Sequence, residues 1–177
     1  MEKIEIGQVA ENIFSHRGFS EKGCYSSTCM DNCCRKGCDT DKETYELIMQ
    51  QKDEIEKILG RSIEQCFEKE WSGQTDFLGM NSISSTVING TCAFHISSGK
   101  GCALWQILFQ QNCSRRLIPS TCRLYPITWS NGTMHIIDTM EKECDCLDPC
   151  NQTATNLWAT QREAIEDIFF IRNQNTQ

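Results

Sequence analysis

The chain has 177 residues, 39% of them hydrophobic and 23% charged, which fits one folded domain and argues against general disorder. Seventeen basic residues stand against 24 acidic ones, a net charge of −7, so nucleic acid is disfavoured as a partner. No apolar run approaches the roughly 18 residues that span a bilayer, which leaves the membrane out as well.

The N-terminal MEKIEIGQVAENIF mixes charges with isolated apolar residues and has no signal-peptide core, so a cytoplasmic location is expected. Further on, TDKETYELIMQQKDEIEKILG carries Thr40 with Glu43 as a capping box and Gly60 as a C-terminal stop, predicting a helix over 41–59. Ser62 with Gln65 predicts a second, short helix through Glu70. The segment WSGQTDFLGMNS reads as turns, and from residue 82 the chain reads as strands and loops. Asn89-Gly90 marks a turn before TCAFHI. Two β-prone runs around Asn131-Gly132, LYPITWS and TMHIIDT, predict a type I′ hairpin, with Pro126 placing the first strand at an edge. A C-terminal helix is expected over 155–172, from the spacing of Leu157, Gln161, Ala164, Ile165, Ile168 and Ile171. The expected fold class is α+β: one small, loop-rich domain over 1–177, with a core at about 24–150, flanking helices and a β-hairpin.

Thirteen cysteines, about 7% of the chain, dominate the chemistry. Cys24, Cys29, Cys33, Cys34 and Cys38 fall within fifteen residues. Cys92, Cys102 and Cys122 follow in a middle region, and Cys144, Cys146 and Cys150 close the set. In a reducing compartment, clustered cysteines point to metal before disulfides, because converging thiolates are soft ligands for zinc or iron–sulfur clusters. These eleven are the candidate ligands, and they are expected to staple the fold. The spacings match neither a zinc ribbon nor ferredoxin, and a radical-SAM pattern would need a cysteine at Lys36. Eleven ligands exceed one tetrahedral ion, and the vicinal Cys33-Cys34 suits two metals or a multinuclear cluster. Iron–sulfur is therefore favoured and zinc is the alternative. Cys66 reads as a core residue, and Cys113 is undecided.

The ordered set Cys24, Cys29, Cys33-Cys34, then Cys92-Ala-Phe94, Gly101-Cys102 and Cys122-Arg123-Leu124-Tyr125-Pro126 resembles the YkgJ-type cysteine-cluster family. The first gap is longer than that family's usual two or three residues. The resemblance implies a zinc- or iron-chelating role, and the similar cysteine pattern of flagellin lysine methylase implies an iron–sulfur site. The expected function is thus a Cys-ligated iron–sulfur protein in redox, maturation or metal handling, with an unidentified protein or redox partner. Alternatives are a zinc protein of structural or interaction type, a cluster-dependent protein-modifying enzyme, and, last, a secreted disulfide-rich module. Four N-x-[ST] sequons, at Asn89, Asn112, Asn131 and Asn151, belong to that last reading. No serine-hydrolase elbow, P-loop, dinucleotide fingerprint or zinc-protease helix is present.

Among the other residues, His95 lies three after Cys92 and reads more simply as structural than as a ligand. His16 and His135 have less support still. Arg123, Tyr125 and Pro126 are read as shaping the loop after Cys122, with donation from Arg123 to a metal-bound sulfur as a further reading. Trp105, Trp129 and Trp158 read as core or rim aromatics, and Asp31, Asp39, Asp41, Asp145 and Asp148 as a solvated acidic face.

Overall fold

A computed structural model describes residues 2–19, 31–99, 101–137 and 152–172. The alternation Ile4-Glu5-Ile6 makes a strand, β1 (Ile4–Ile6), which buries both isoleucines and turns Glu5 outward. The chain continues through β2 (Gln8–Val9), α1 (Asn12–Ser15) and β3 (Arg17–Phe19). A 3-10 turn over Asn32–Lys36 then leads to β4 (Asp39–Thr40).

The helix expected over 41–59 forms as two, α2 (Lys42–Gln50) and α3 (Lys52–Leu59), interrupted at Gln51. Its cap is Asp41 rather than Thr40. The buried Asp41 carboxylate accepts from the Thr44 backbone N–H at 3.0 Å and the Thr44 hydroxyl at 2.8 Å. Gly60 ends the second helix in the left-handed region, as expected. Ser62 does cap a helix, but only a 3-10 turn over Ile63–Cys66. It stops where Phe67 becomes extended and bridges Ser85.

After residue 82 come β5 (Ile83–Ser84) and the short hairpin β6 (Val87–Ile88) and β7 (Thr91–Cys92). This stretch is more helical than its sequence suggests. It also holds α4 (Ala103–Gln111) and α5 (Ser120–Leu124). Helix α4 buries Ala103, Leu104, Trp105, Ile107 and Leu108, so no polar face marks its period in the sequence. The hairpin β8 (Ile127–Ser130) and β9 (Thr133–Ile136) forms as expected. Asn131 and Gly132 both have positive φ, and β8 lies at the edge of a sheet ordered β2-β9-β8. Of the sequons, Asn89, Asn112 and Asn131 all occupy left-handed turn positions, a backbone role that explains asparagine there. Asn151 lies outside the described residues.

The expected C-terminal helix is divided. Residues 155 and 156 belong to β10 (Gln152–Asn156), followed by α6 (Leu157–Thr160), α7 (Arg162–Ile168) and β11 (Phe169–Ile171). The run Ile168-Phe169-Phe170-Ile171 is rich in β-formers, and β1 gives it a parallel partner with Ile4 opposite Phe169. Strand pairing therefore wins over helical spacing.

The seven α-helices and small sheets of the described residues make an α+β fold with two apolar clusters. One joins the chain's two ends to the hairpin through Ile6, Ile13, Met134, Leu157 and Ile168. The other lies between α2, α3 and α4, around Ile48, Ile55, Phe94 and Ile107. Helix α5 contributes Leu124 to the first cluster, and its Cys122 packs against the second. No helix among the described residues is long and apolar enough to cross a membrane.

Candidate functional site

The second cluster carries the cysteines. Cys33 and Cys34 sit on the 3-10 turn, and Cys38 immediately precedes β4. Strand β4 pairs with β5, which leads through Ser85 into the β6–β7 hairpin and so places Cys92 against Cys38. Cys102 caps the start of α4. Cys122 lies within α5, tied to β4 by the Thr121 hydroxyl, which donates to the Asp39 carbonyl at 3.3 Å. All six, from segments far apart in sequence, line one cavity of about 430 Å³. Cys24, Cys29, Cys144, Cys146 and Cys150 lie outside the described residues. Cys34, Cys38, Cys66, Cys92, Cys102, Cys113 and Cys122 are free thiols.

The thiols interact closely. A hydrogen bond with Cys33 raises the Cys34 thiol far above its ordinary range, helped by burial. Cys38 is raised through its hydrogen bond to Cys122 and by burial, while a bond to Cys92 works the other way. Cys92 is raised by its bond to Cys38 and by burial. Burial first, then the charge of Cys92, pushes Cys102 up to about 12. Cys122 is lowered by the bond to Cys38, but burial and the charges of its neighbours outweigh that and leave it raised. The cause common to all five is crowding of acidic groups away from water, which disfavours each additional negative charge. These five thiols therefore hold their protons more tightly than isolated cysteines do.

Sequence reasoning missed Ser85. Its hydroxyl accepts the Cys38 backbone N–H at 2.8 Å and lies 3.6 Å from the Cys38 sulfur and 3.3 Å from the Cys92 sulfur. Its own N–H donates to the Cys38 carbonyl at 2.8 Å, so Ser85 and Cys38 are locked reciprocally. The contact requires Gly37. That residue has φ +74, and a Cβ there would come within 2.9 Å of both Ser85 oxygens. One serine in the polar run Ser84-Ser85-Thr86 gives no sequence signal for this role. The change Ser85→Ala leaves the Cys38 N–H without that partner in a buried setting and is expected to cost about 1–3 kcal/mol. Urea denaturation would measure it, and a loss below about 0.5 kcal/mol would remove Ser85 from the site's framework.

Asp31 is not part of a solvated face. Its side chain is 12% exposed, and Oδ2 lies 3.1 Å from His95 Nε2 and accepts the Gly101 N–H at 3.1 Å. Both residues of the pair line the thiol cavity. Arg123 faces away from the thiols: Nη1 donates to Asp167 at 2.7 Å, and the residue is absent from the cavity wall. Trp105 and Trp129 form part of that wall. Cys66 is fully buried in the second cluster, its thiol directed at the Ser62 and Ala93 carbonyls, and burial pushes it up to about 11. Cys113 donates to Gln111 and does not reach the cavity.

No known protein family, curated protein or solved structure matches this chain. Its function is therefore read from the site. Among the described residues, no three His, Cys, Asp or Glu side chains already stand as a coordination shell. The six thiols are instead engaged with one another and with Ser85. The donor chemistry suits a soft metal, and binding would take the protons from these sulfurs and turn them from each other to the ion.

Proposed function

We propose that this is a metal-binding protein whose cysteines hold one or more metal centres, iron–sulfur in the first reading, acting in redox, maturation or metal handling. The observation that carries this is the convergence of six cysteines, from three separate stretches of chain, on one cavity. Cys33, Cys34, Cys38, Cys92, Cys102 and Cys122 would be the ligands, with Cys24, Cys29, Cys144, Cys146 and Cys150 as further donors. Six sulfurs exceed the four of a tetrahedral ion, which favours a multinuclear cluster or two ions. The order of the cysteine motifs, resembling the YkgJ-type family, supports the same reading. An iron–sulfur cluster would supply one-electron transfer. The chain's own residues would fix its ligands, exclude water with the apolar wall of Trp105, Ile118 and Ile127, and set its potential through donors such as the Ser85 hydroxyl. A cytoplasmic location, where thiols stay reduced, goes with this reading.

Zinc is the second reading, favoured by the Asp31–His95 pair on the same cavity, since zinc accepts mixed sulfur and nitrogen ligands. Anaerobic purification from iron-supplemented cells, with metal analysis and a visible spectrum, tests both. A brown protein with broad bands that bleach on reduction is the expected result. A colourless protein with stoichiometric zinc selects the second reading. A protein with neither metal sinks both.

A further inference from the structure

We propose that His95 is a nitrogen ligand of the metal centre, binding through Nδ1, and that Asp31 is the residue positioning its ring. This rests on the reading of the thiol cavity as a metal site. A carboxylate only accepts hydrogen bonds, so the contact between Asp31 Oδ2 and His95 Nε2 at 3.1 Å puts the ring proton on Nε2. The basic lone pair of the neutral imidazole is then on Nδ1. This is how ligating histidines are usually held: one nitrogen on a carboxylate, the other on the metal.

The surroundings carry the assignment to the thiol cavity. His95 emerges from a turn in which its N–H donates to the Cys92 carbonyl at 2.8 Å, and its backbone bridges Cys102. Two cysteines of the cavity wall are thus backbone neighbours of His95, which lines the same cavity. Asp31 is fixed from three directions. Its carboxylate takes the Gly101 N–H, its carbonyl accepts the Cys34 N–H at 3.0 Å, and its backbone has φ 58, a left-handed conformation costly for a residue with a Cβ. It thus ties the Cys33-Cys34 turn to the loop that carries Cys102. The His95 side chain is only 17% exposed, which suits a ligand shielded from water. A nitrogen beside sulfurs is accepted by a tetrahedral zinc ion. On an iron–sulfur cluster, imidazole in place of thiolate raises the reduction potential.

X-ray absorption at the edge of whichever metal the purified protein carries tests this directly, since nitrogen lies at about 2.0–2.1 Å and sulfur at about 2.3 Å from zinc. The wild-type protein is expected to show one imidazole, with its ring scattering, and His95→Ala to lose it. Asp31→Asn keeps the ring but not the carboxylate, and is expected to weaken metal binding about 10–100-fold in chelator competition. A sulfur-only shell in wild type, or unchanged affinity in both variants, overturns the assignment and leaves the cysteine reading standing. A protein that binds no metal overturns both. If His95→Ala does not fold, the wild-type spectrum decides alone.

Discussion

Asp167→Ala is expected to destabilise the protein by about 3–5 kcal/mol, the cost of leaving a buried charge without its partner. The Arg123 side chain is 6% exposed, and its Nη1 donates to Asp167 at 2.7 Å. Its Nε and Nη2 have no partner among the described residues, so Asp167 is the counter-charge on which the guanidinium depends. Arg116 also bonds Asp167, and reaches Glu43 on α2 at 2.7 Å. Asp167, on α7, thereby joins both apolar clusters through α5. The exposed pair Arg162–Glu166 on the same helix is the contrast, and its loss should leave stability nearly unchanged. For a chain of this size the Asp167 effect is on the order of 10 °C in Tm. Thermal and urea denaturation check it, and an Asp167→Ala protein as stable as wild type would show that Arg123 finds another partner.

The same residue gives a pH dependence. Burial pushes the Asp167 carboxyl upward, but the hydrogen bonds from Arg123 and Arg116 outweigh it and hold the group below its usual 3.8. A depressed carboxyl stabilises the fold above the unfolded-state value, and that contribution is lost as pH falls below 3.8 and through the lower folded value. Acid unfolding of wild type should therefore show a stability difference from Asp167→Asn that is full at pH 7 and shrinks below about pH 4.

Cys33→Ser and Cys122→Ser are expected to give the largest losses of bound metal, while Cys66→Ser leaves metal content unchanged. Cys33 and Cys122 reach the cavity from different elements, so the two changes remove donors from two separate sides of it. The loss in affinity should exceed the roughly 10–100-fold that goes with an outer hydrogen-bond partner. Cys66 is more deeply buried than either and lies in the second cluster, yet it faces two carbonyls and not the cavity. It therefore separates loss of a ligand from loss of a core thiol. Metal analysis of the three purified variants decides, and equal content in all three would defeat the ligand assignment.

Much of the local structure was legible where short-range chemistry dominates. Both Asn-Gly turns require two successive positive φ angles, and Gly60 a left-handed stop, so sequence alone placed them. The divided C-terminal helix was not legible, because Leu157, Ile165 and Ile168 keep helical spacing while β1, at the other end of the chain, supplies the partner that pulls Phe169–Ile171 into a strand. Helix α4 was hidden by burial, which removes the polar face that reveals periodicity. At the site, grouping by spacing found the six cysteines that meet. It misread Asp31 and Arg123, because which way a charged side chain turns depends on partners distant in sequence, His95 for one and Asp167 for the other.

The parallel β1–β11 ribbon has a consequence for how the molecule is assembled. It brings together segments at opposite ends of the chain, and Lys3 bonds the Glu166 carbonyl across 163 residues. The cluster bearing the thiols, by contrast, is built from residues of the chain's middle, Ile48 to Ile118, with flanking cysteines. During synthesis at about 5–20 residues per second, those residues leave the ribosome while β11 is still to be made. The thiol cavity can therefore gather on a nascent chain before the high-contact-order pairing of β1 with β11 is possible.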